Sequence, residues 1–269
     1  MKYESIGGLS LPKIGFGTWN IGGGSNAQPR RDPDYVRALL SALDLGYTHF
    51  DTAETYAAGH TEELLGRALR ASRVDRRRVF LTTKVAPGHL DYQGILDSCE
   101  ASLRRLSTDY VDLYLIHWPS PNMDLGHAFR ALNHLVQEGK VRHLGVSNFD
   151  LKLLQESRRL SESPILTDQV PYSLQDRSYV KNGVLEYCQR HDVLLTAYSP
   201  FEQGKLRQKK GLASVAAAHS ATPFQIALAW LCQQPRVITI PMSTDTTHQR
   251  QNLEAGDISL APHELQQLD

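Results

Sequence analysis

The feature that most constrains the fold of this 269-residue chain is an eightfold alternation of a short apolar segment with an amphipathic one. Asp51, Lys84 and His117 are each the last residue of one of the apolar segments, and successive members of this set are 33 positions apart. A period of roughly 30 residues is that of a βα unit. Eight such units predict an α/β fold, a (β/α)8 TIM barrel, with polar groups gathered on the rim where the strands end.

The apolar segments have the near-continuous character of parallel strands buried on both faces, and they are rich in β-branched and aromatic residues. A doubly wound open sheet is the alternative fold, but the stretch 15–19 lacks the GxGxxG pattern expected before its first helix. The barrel is therefore the simpler closure. Its strands are predicted at 13–18, 48–51, 79–84, 110–117, 141–147, 165–170, 193–198 and 237–240.

Helix signals fill the intervals between these strands. Asp32, Asp91 and Asp124 precede amphipathic stretches as N-caps, and Thr222 has the spacing of a capping box. Gly7 and Gly8 predict a turn in an N-terminal β-hairpin that closes the barrel floor. Residues 22–31 show no periodicity, so they predict a loop beside the barrel mouth and a candidate pocket wall.

Composition favours one compact barrel, since 41% of the residues are apolar and about 250 residues is a typical barrel length. We expect a single domain over residues 1–269. Basic and acidic residues number 29 each, so no charge excess favours nucleic acid or a membrane surface as a partner. Cys99, Cys188 and Cys232 lack metal-type spacing and predict reduced thiols. Residues 1–11 resemble neither a signal peptide nor a membrane span. These features predict a cytoplasmic protein, and we expect a monomer or a weak homo-oligomer.

Tyr56 lies five residues beyond Asp51, in a loop that can fold back over the rim. A phenol with a pKa near 10 exchanges protons poorly at neutral pH unless a cation stabilises its phenolate. Lys84 can be that cation, and a buried lysine needs a counter-charge, which Asp51 can supply. His117 can orient a substrate oxygen by a hydrogen bond. Together the four groups have what proton transfer to a carbonyl oxygen requires.

Long, ordered motifs in this sequence resemble those of the aldo-keto reductase family, in its bacterial type with a short C-terminus. The resemblance covers essentially the whole chain. It is carried by residues 46–56 (GYTHFDTAETY), 62–66 (EELLG), 109–119 (DYVDLYLIHWP), 145–149 (GVSNF), 169–170 (QV) and 197–200 (AYSP).

The resemblance implies hydride transfer between a nicotinamide and an aldehyde or ketone, or an alcohol in the reverse direction. It implies Tyr56 as general acid, Lys84 lowering its pKa, Asp51 paired to Lys84 and His117 positioning the carbonyl. The implied substrate contacts are Trp19, Tyr56, His117 and Trp118. The implied cofactor contacts are Gly17, Thr18, Trp19, Asp51, Ser147, Asn148, Gln169, Tyr198, Ser199, Pro200, Phe201, Ser243, Thr244, His248, Gln251 and Asn252.

The sequence departs from many relatives at Met242, where they carry a lysine for the 2′-phosphate of NADP. The residues that follow on a loop and helix start are Ser243, Thr244, His248, Arg250 and Asn252. Their hydroxyls, the helix N-terminus and the Arg250 guanidinium can still hold a phosphate. We therefore favour NADP(H) as cofactor, with NAD(H) as the alternative. No metal ion is expected, since His49, His60, His127, His134 and His143 lack ligand spacing.

The residues alone leave three alternatives open. The first is a nicotinamide-binding sensor or regulatory subunit with vestigial turnover. The second is another class of barrel enzyme, such as an isomerase that uses Lys84 as a Schiff-base nucleophile or a phosphate-directed lyase. It leaves Tyr56, Gln169 and Tyr198 without roles. The third concerns single positions, because Gln169 and Tyr198 can be ordinary strand residues, and Trp19 and Trp118 can form an apolar lid rather than a substrate wall.

Overall fold

The computed structural model describes residues 2–202, 206 and 211–269 of the chain. Eight parallel strands follow one another in chain order around a single sheet. Met1, 203–205 and 207–210 of the predicted domain lie outside the described residues. The strands are β3 (Phe16–Gly17), β4 (His49–Asp51), β5 (Phe80–Val85), β6 (Val111–Ile116), β7 (Val141–Ser147), β8 (Ile165–Pro171), β9 (Leu194–Tyr198) and β10 (Val237–Thr239).

Helices connect successive strands and cover the outside of the sheet, so the predicted alternation of strand and helix is confirmed. Except for the first strand, every predicted strand end lies within one residue of the observed one. The helices are α1 (Asp32–Asp44), α2 (His60–Ala71), α3 (Tyr92–Leu106), α4 (Leu125–Gln137), α5 (Leu151–Leu160), α6 (Ser178–Lys181), α7 (Val184–Arg190), α8 (Leu212–Ala218), α9 (Pro223–Gln233), α10 (Thr246–Ala255) and α11 (Pro262–Leu268).

The sheet closes into a barrel through the segment before β3. Ile14 bridges Thr239 of β10 in parallel, and the amide of Gly15 donates to the Thr239 carbonyl at 2.8 Å. Gly17 lies so close to the Ile240 carbonyl that a Cβ at this position would overlap it. The regular strand is shorter than the predicted 13–18, but the predicted segment still pairs with β10 and the residues after it, since the Thr239 amide donates to the Lys13 carbonyl at 2.8 Å and the Gly17 amide to the Pro241 carbonyl at 3.1 Å.

The predicted N-terminal hairpin is confirmed as strands β1 (Tyr3–Ile6) and β2 (Leu9–Pro12), which pair antiparallel. Its buried residues Ile6 and Leu11 pack in one apolar cluster with residues of β6, β8, β9 and β10. Arg236, directly before β10, pairs with Glu4 of the hairpin at 3.1 Å. The hairpin therefore closes the N-terminal end of the barrel and leaves the opposite end to the polar strand termini.

Most helix starts follow the predicted capping chemistry. The Asp91 carboxylate accepts from the Gly94 amide, Asp124 accepts from the His127 amide, and Thr222 forms a complete capping box with Gln225. The prediction for Asp32 is wrong. A 3-10 turn over Pro29–Arg31 leads directly into α1, so the backbone is already helical at Asp32 and its carboxylate is free to bond elsewhere.

Helices α8 and α9 form a bent pair that meets at 91°. Length and composition alone would allow this pair to form a broken membrane span, whereas no single helix among the described residues is long and apolar enough to cross a membrane. In the barrel, α9 buries Trp230 against the ring of Tyr172, at a centroid distance of 5.2 Å.

The freed carboxylate of Asp32 joins α1 to α2 through His60. One ring nitrogen of His60 lies 2.8 Å from Asp32 and the other lies 2.9 Å from Glu63. Burial lowers the pKa of His60, but the two carboxylates raise it more, so the net shift is upward from 6.5. Because the folded-state pKa is raised, protonated His60 stabilises the fold at low pH.

We predict that His60→Gln destabilises the protein in a pH-dependent way. The stabilisation by protonated His60 is fully present below pH 6.5 and disappears as pH rises through the raised folded-state pKa. Denaturant unfolding should therefore show a larger loss of unfolding free energy at about pH 5.5 than at about pH 9. Asp32→Asn should remove most of the same pH-dependent part, and a loss that is constant with pH would contradict the assignment.

Candidate active site

Four ionisable side chains predicted from the sequence meet at the C-terminal end of the barrel. Asp51 is the last residue of β4, Lys84 lies near the end of β5 and His117 directly follows β6. Tyr56 begins a short 3-10 turn after β4. Strand ends at this rim supply the reactive groups of TIM-barrel enzymes, so the location itself indicates an active site.

Strand register explains why Asp51 and Lys84 meet. Asp51 pairs with Thr82 of β5, and side chains two residues apart on a strand share a face, so Lys84 points to the same side as Thr82. Thr83 points the other way and donates to Glu62 of α2 at 2.6 Å. Lys84 is therefore directed into the barrel interior, where its ammonium reaches the Asp51 carboxylate.

The ammonium of Lys84 has an acceptor for each of its three protons. It donates to Asp51 Oδ1 at 2.6 Å, to the Thr52 carbonyl at 2.8 Å and to Tyr56 Oη at 3.1 Å. Lys84 is fully buried. Because all three N–H groups are engaged, the Tyr56 oxygen is an acceptor in this bond and its own hydrogen is directed elsewhere.

The electrostatics of Lys84 follow from this arrangement. Burial alone lowers the pKa of a lysine, but the charge of Asp51 and the oxygen of Tyr56 outweigh it, so the pKa of Lys84 is raised. The other oxygen of Asp51 accepts from Gln169 Nε2 at 2.7 Å. Gln169 belongs to β8, four strands away around the barrel, so this bond crosses the barrel mouth. The carboxylate is thus held from both sides.

The backbone after Tyr56 adopts an uncommon conformation. Ala57, Ala58 and Gly59 have φ values of 48°, 54° and 91° in succession. Left-handed backbone costs about 1–2 kcal/mol for a residue with a Cβ. The turn reverses the chain directly after Tyr56 and leaves its ring over the rim, beside Lys84.

The pKa of Tyr56 differs from the expectation. Burial raises the pKa of the phenol, Lys84 lowers it, and burial is the larger effect, so the net shift is upward. The expectation that Lys84 lowers this pKa is right for the contribution of Lys84 and wrong for the net direction. The reason is that Asp51 offsets the ammonium charge and the ring is almost completely buried. Tyr56 therefore keeps its proton at neutral pH.

His117 lies beside Tyr56 as a neutral base. The two rings are in edge contact at a centroid distance of 5.6 Å. Burial and the nearby charge of Lys84 lower the pKa of His117 to about 3. Its Nδ1 lies 3.2 Å from Thr55 Oγ1. An uncharged imidazole has one N–H and one bare nitrogen, so His117 can donate a single hydrogen bond to a ligand.

Two tryptophans lie at the same rim. Trp19 is in edge contact with the Tyr56 ring at 5.0 Å, and 40% of Trp19 is exposed. Trp118 directly follows His117 and is 47% exposed. Large exposed aromatics beside polar groups are typical of a ligand wall. The Tyr56 ring is therefore in edge contact with both Trp19 and His117.

Four further predicted residues form a linked polar group on the opposite side of the mouth. Ser147 Oγ donates to the Gln169 carbonyl at 2.7 Å, and Asn148 Nδ2 donates to Ser147 Oγ at 2.9 Å. Tyr198 donates its hydroxyl to Asn148 Oδ1 at 2.8 Å. Asn148 also adopts a left-handed φ of 63°. The structure thus brings Ser147, Asn148, Gln169 and Tyr198 together.

This polar group fits the edge of a nicotinamide ring. Gln169 Oε1 takes part in no hydrogen bond among the described residues, which leaves it free to accept from a carboxamide NH2. Tyr198 is half-buried, and burial raises its pKa, so it stays an uncharged flat ring. Amide and hydroxyl groups beside a flat aromatic are the chemistry that such a ring needs.

Other predicted contacts surround these two groups. Thr18 is buried and donates its hydroxyl to the Asp51 carbonyl at 2.8 Å, directly after Gly17. Ser199, Pro200 and Phe201 follow β9, and Ser199 has a left-handed φ of 52°. Phe201 packs on Phe224 at a ring distance of 5.1 Å, so part of its surface already has an intramolecular partner.

The predicted phosphate segment lies after β10 and at the start of α10. Thr244 and His248 are exposed there, whereas Asn252 is buried. Met242 packs partly against the apolar core. Asp245 caps α10 by accepting from the His248 amide at 2.9 Å. A carboxylate therefore already occupies the helix end where the sequence predicted room for a phosphate.

Sequence reasoning missed two groups that contact the four-residue centre, namely the Thr52 carbonyl and the Thr55 hydroxyl. Both belong to the segment 52–55 between two recognised residues, but the direction of a loop carbonyl or hydroxyl depends on dihedral angles that no periodicity reveals. Within residues 2–202, 206 and 211–269, no group of three His, Cys, Asp or Glu side chains has a metal-binding arrangement.

Known proteins of one family resemble this chain over almost its whole length. Residues 13–269 match the model of the Aldo/keto reductase family. Methylglyoxal reductase YeaE of Escherichia coli (strain K12) is 38% identical over 269 residues, covering 98% of this chain and 92% of the relative. Glyoxal reductase of Bacillus subtilis (strain 168) is 31% identical over 262 residues, covering 97% and 89%.

Solved structures give the same result. A thermostable aldo-keto reductase, Tm1743, in complex with the inhibitor epalrestat, superposes with a TM-score of 0.97 at 45% identity, over 100% of this chain and 99% of that one. An aldo/keto reductase from Klebsiella pneumoniae in complex with NADP and acetate superposes with a TM-score of 0.89 at 37% identity, over 100% and 94%.

We predict that Lys84→Met is strongly destabilising, because it leaves the buried Asp51 carboxylate without its cation. Breaking one side of a buried ion pair costs about 3–5 kcal/mol. The double variant Asp51→Asn with Lys84→Met removes both charges and should recover part of that loss. Denaturant unfolding of both variants measures the difference. A Lys84→Met variant as stable as the unmodified protein would show that the ion pair does not contribute to the free energy of unfolding in this way.

Proposed function

This chain belongs to the aldo/keto reductase family and reduces carbonyl groups with a nicotinamide cofactor, and we propose that Tyr56 is the residue that protonates the carbonyl oxygen. The observation that carries the proposal is the bond from Lys84 to the Tyr56 oxygen at 3.1 Å. It fixes the phenol oxygen as an acceptor towards Lys84, so the phenol hydrogen is free for a substrate. Tyr56 thus has the geometry of a general acid.

Lys84 and Asp51 support this role in different ways. As the proton leaves Tyr56, negative charge develops on an oxygen that already accepts a hydrogen bond from an ammonium, and this stabilises the phenolate. Asp51 keeps Lys84 charged in spite of its burial. Because Lys84 is fully engaged with three acceptors, it is a poor candidate for a Schiff-base nucleophile.

His117 supplies the second hydrogen bond to the carbonyl oxygen. Its pKa of about 3 makes it neutral, so it orients the substrate without competing with Tyr56 as a proton source. Trp19 and Trp118 form the apolar sides of the substrate cleft, which favours small or aromatic carbonyl compounds. Two relatives are named for methylglyoxal and glyoxal, so we propose short 2-oxoaldehydes as the first substrates to test.

We propose that Ser147, Asn148, Gln169 and Tyr198 hold the nicotinamide, which supplies the hydride when it is bound in its reduced form. Gly17, Thr18, Ser199, Pro200 and Phe201 are proposed to border it. At the other end, Ser243, Thr244, His248, Gln251 and Asn252 are proposed to contact the adenosine part.

NADP(H) is the preferred cofactor in this proposal, and the Klebsiella pneumoniae relative crystallised with NADP supports it. Met242 brings no charge to the phosphate segment, and the Asp245 carboxylate caps the nearby helix. Both features weaken phosphate binding relative to a site with a lysine. We therefore propose a moderate preference, in which NADH also binds.

We further propose that residues 1–269 act as one cytoplasmic domain without nucleic acid or membrane partners, as a monomer or weak homo-oligomer. The equal numbers of basic and acidic residues, 29 each, support the proposal that neither nucleic acid nor a membrane is a partner. The three cysteines are free and buried, and burial raises the pKa of each thiol, which suits a reducing compartment.

We predict that Tyr56→Phe lowers kcat for methylglyoxal reduction by about 100-fold or more, since general acid catalysis contributes 10²–10⁴-fold. NADPH binding should stay within about twofold, because the ring that packs beside Trp19 and His117 is retained. NADPH oxidation and fluorescence titration measure the two effects. Unchanged reduction by Tyr56→Phe would refute the role of Tyr56.

A lysine at position 242 tests the cofactor proposal. Met242→Lys should tighten NADPH binding about five- to tenfold, because an exposed charge-assisted bond to a phosphate contributes about 1 kcal/mol. Asp245→Asn should act in the same direction, since it removes a carboxylate beside the phosphate and keeps a capping side chain. NADH affinity should not change. Met242→Leu is the matched control, and equal titrations of NADPH for Met242→Lys and Met242→Leu would contradict the placement of the phosphate.

A further inference from the structure

The ring of His117 is held by a single hydrogen bond among the described residues, the contact of 3.2 Å between its Nδ1 and Thr55 Oγ1. Its Nε2 has no hydrogen-bond partner in that part of the chain. The Thr55 hydroxyl likewise has no second hydrogen-bond partner there. The free nitrogen is therefore the one available to a substrate, and the bonded nitrogen is the one that the protein controls.

The chemistry of carbonyl reduction decides which nitrogen must carry the proton. A carbonyl oxygen only accepts hydrogen bonds, so a neutral His117 can orient it only through Nε2–H. Nδ1 is then a bare acceptor, and Thr55 must donate to it. The opposite tautomer would have Nδ1–H donating to Thr55, and its bare Nε2 would repel a carbonyl oxygen.

The backbone holds Thr55 in place for this bond. Its neighbour Glu54 is tied to β5, because the Glu54 amide donates to the Lys84 carbonyl at 3.3 Å and its carboxylate accepts from the Ala86 amide at 2.5 Å. On the other side, Tyr56 accepts from Lys84. Thr55 is therefore anchored at both flanks, and one short segment carries both the acid and the group that contacts His117.

We propose that Thr55 is a positioning residue that fixes His117 in the Nε2–H tautomer, so that the substrate carbonyl meets two donors, Tyr56 Oη–H and His117 Nε2–H. The inference rests on the proposed function of Tyr56 and His117 and adds a specific task for the Thr55 hydroxyl. It acts through His117 and does not itself touch the substrate.

Thr55→Val tests the proposal, because valine keeps the shape of threonine and lacks only the hydroxyl. Thr55→Ser is the matched control, because it keeps the hydroxyl and lacks the methyl group. Removing one neutral hydrogen bond should lower kcat/KM for methylglyoxal about three- to tenfold in Thr55→Val. Thr55→Ser should stay within about twofold, and NADPH affinity should not change in either variant.

A second readout reports the tautomer without any turnover. In protein labelled with 15N at histidine, the ring nitrogens of His117 have distinct shifts and two-bond couplings in each tautomer, and His117→Gln assigns the signals. The unmodified protein and Thr55→Ser should show the Nε2–H form, whereas Thr55→Val should show a mixture or the Nδ1–H form. Thermal unfolding checks that all variants fold.

The outcomes separate this inference from the proposed function. If Thr55→Val keeps the Nε2–H form, or if Thr55→Ser loses as much activity as Thr55→Val, Thr55 does not set the tautomer. If Tyr56→Phe retains full reduction, the proposed function fails, while the nitrogen spectra still decide the role of Thr55. A tautomer change together with the loss of activity in Thr55→Val alone supports the inference.

Discussion

The buried ion pair between Lys84 and Asp51 is the interaction on which the rest of the site depends. An ammonium that is fully buried needs a carboxylate and two more acceptors, and here these are the Thr52 carbonyl and Tyr56 Oη. Three acceptors at these distances require the strand ends of β4 and β5 and the following turn to have one fixed arrangement. The position of Tyr56 is thus a consequence of satisfying Lys84.

That arrangement requires backbone conformations of higher energy, which the rest of the barrel stabilises. Left-handed backbone occurs at this rim at Ala57 and Ala58 after β4, at Asn148 after β7 and at Ser199 after β9, and at the other end of the barrel at Asp192 and Arg236 before β9 and β10. Strained residues persist where the surrounding structure determines them. The opposite end of the barrel is instead closed by the hairpin and its apolar cluster. The polar groups of the site and the apolar closure therefore lie at opposite ends of the same sheet.

The sequence could predict those parts of the molecule that depend on period. Strand ends, the capping of α3, α4 and α9, and the meeting of Asp51 with Lys84 all follow from periodic patterns and register. Features set by irregular backbone were not predictable. Because of the 3-10 turn before Asp32, α1 begins earlier than the sequence predicts. The Thr55 hydroxyl contacts His117 because of a turn that has no recognisable sequence pattern. The net direction of the Tyr56 pKa shift depends on how deeply the ring is buried, and that burial is set by the whole assembled rim.

The direction of that pKa shift also bears on the chemistry. A general acid must hold its proton until the substrate arrives, and the raised pKa of Tyr56 keeps the phenol protonated at neutral pH. Reduction of a carbonyl begins from this form. Oxidation of an alcohol begins from the phenolate, which becomes populated only as pH rises, and Lys84 is the group that limits how far the pH must rise. Burial of the Tyr56 ring thereby favours reduction near neutrality and oxidation in alkali, and Lys84 opposes this shift.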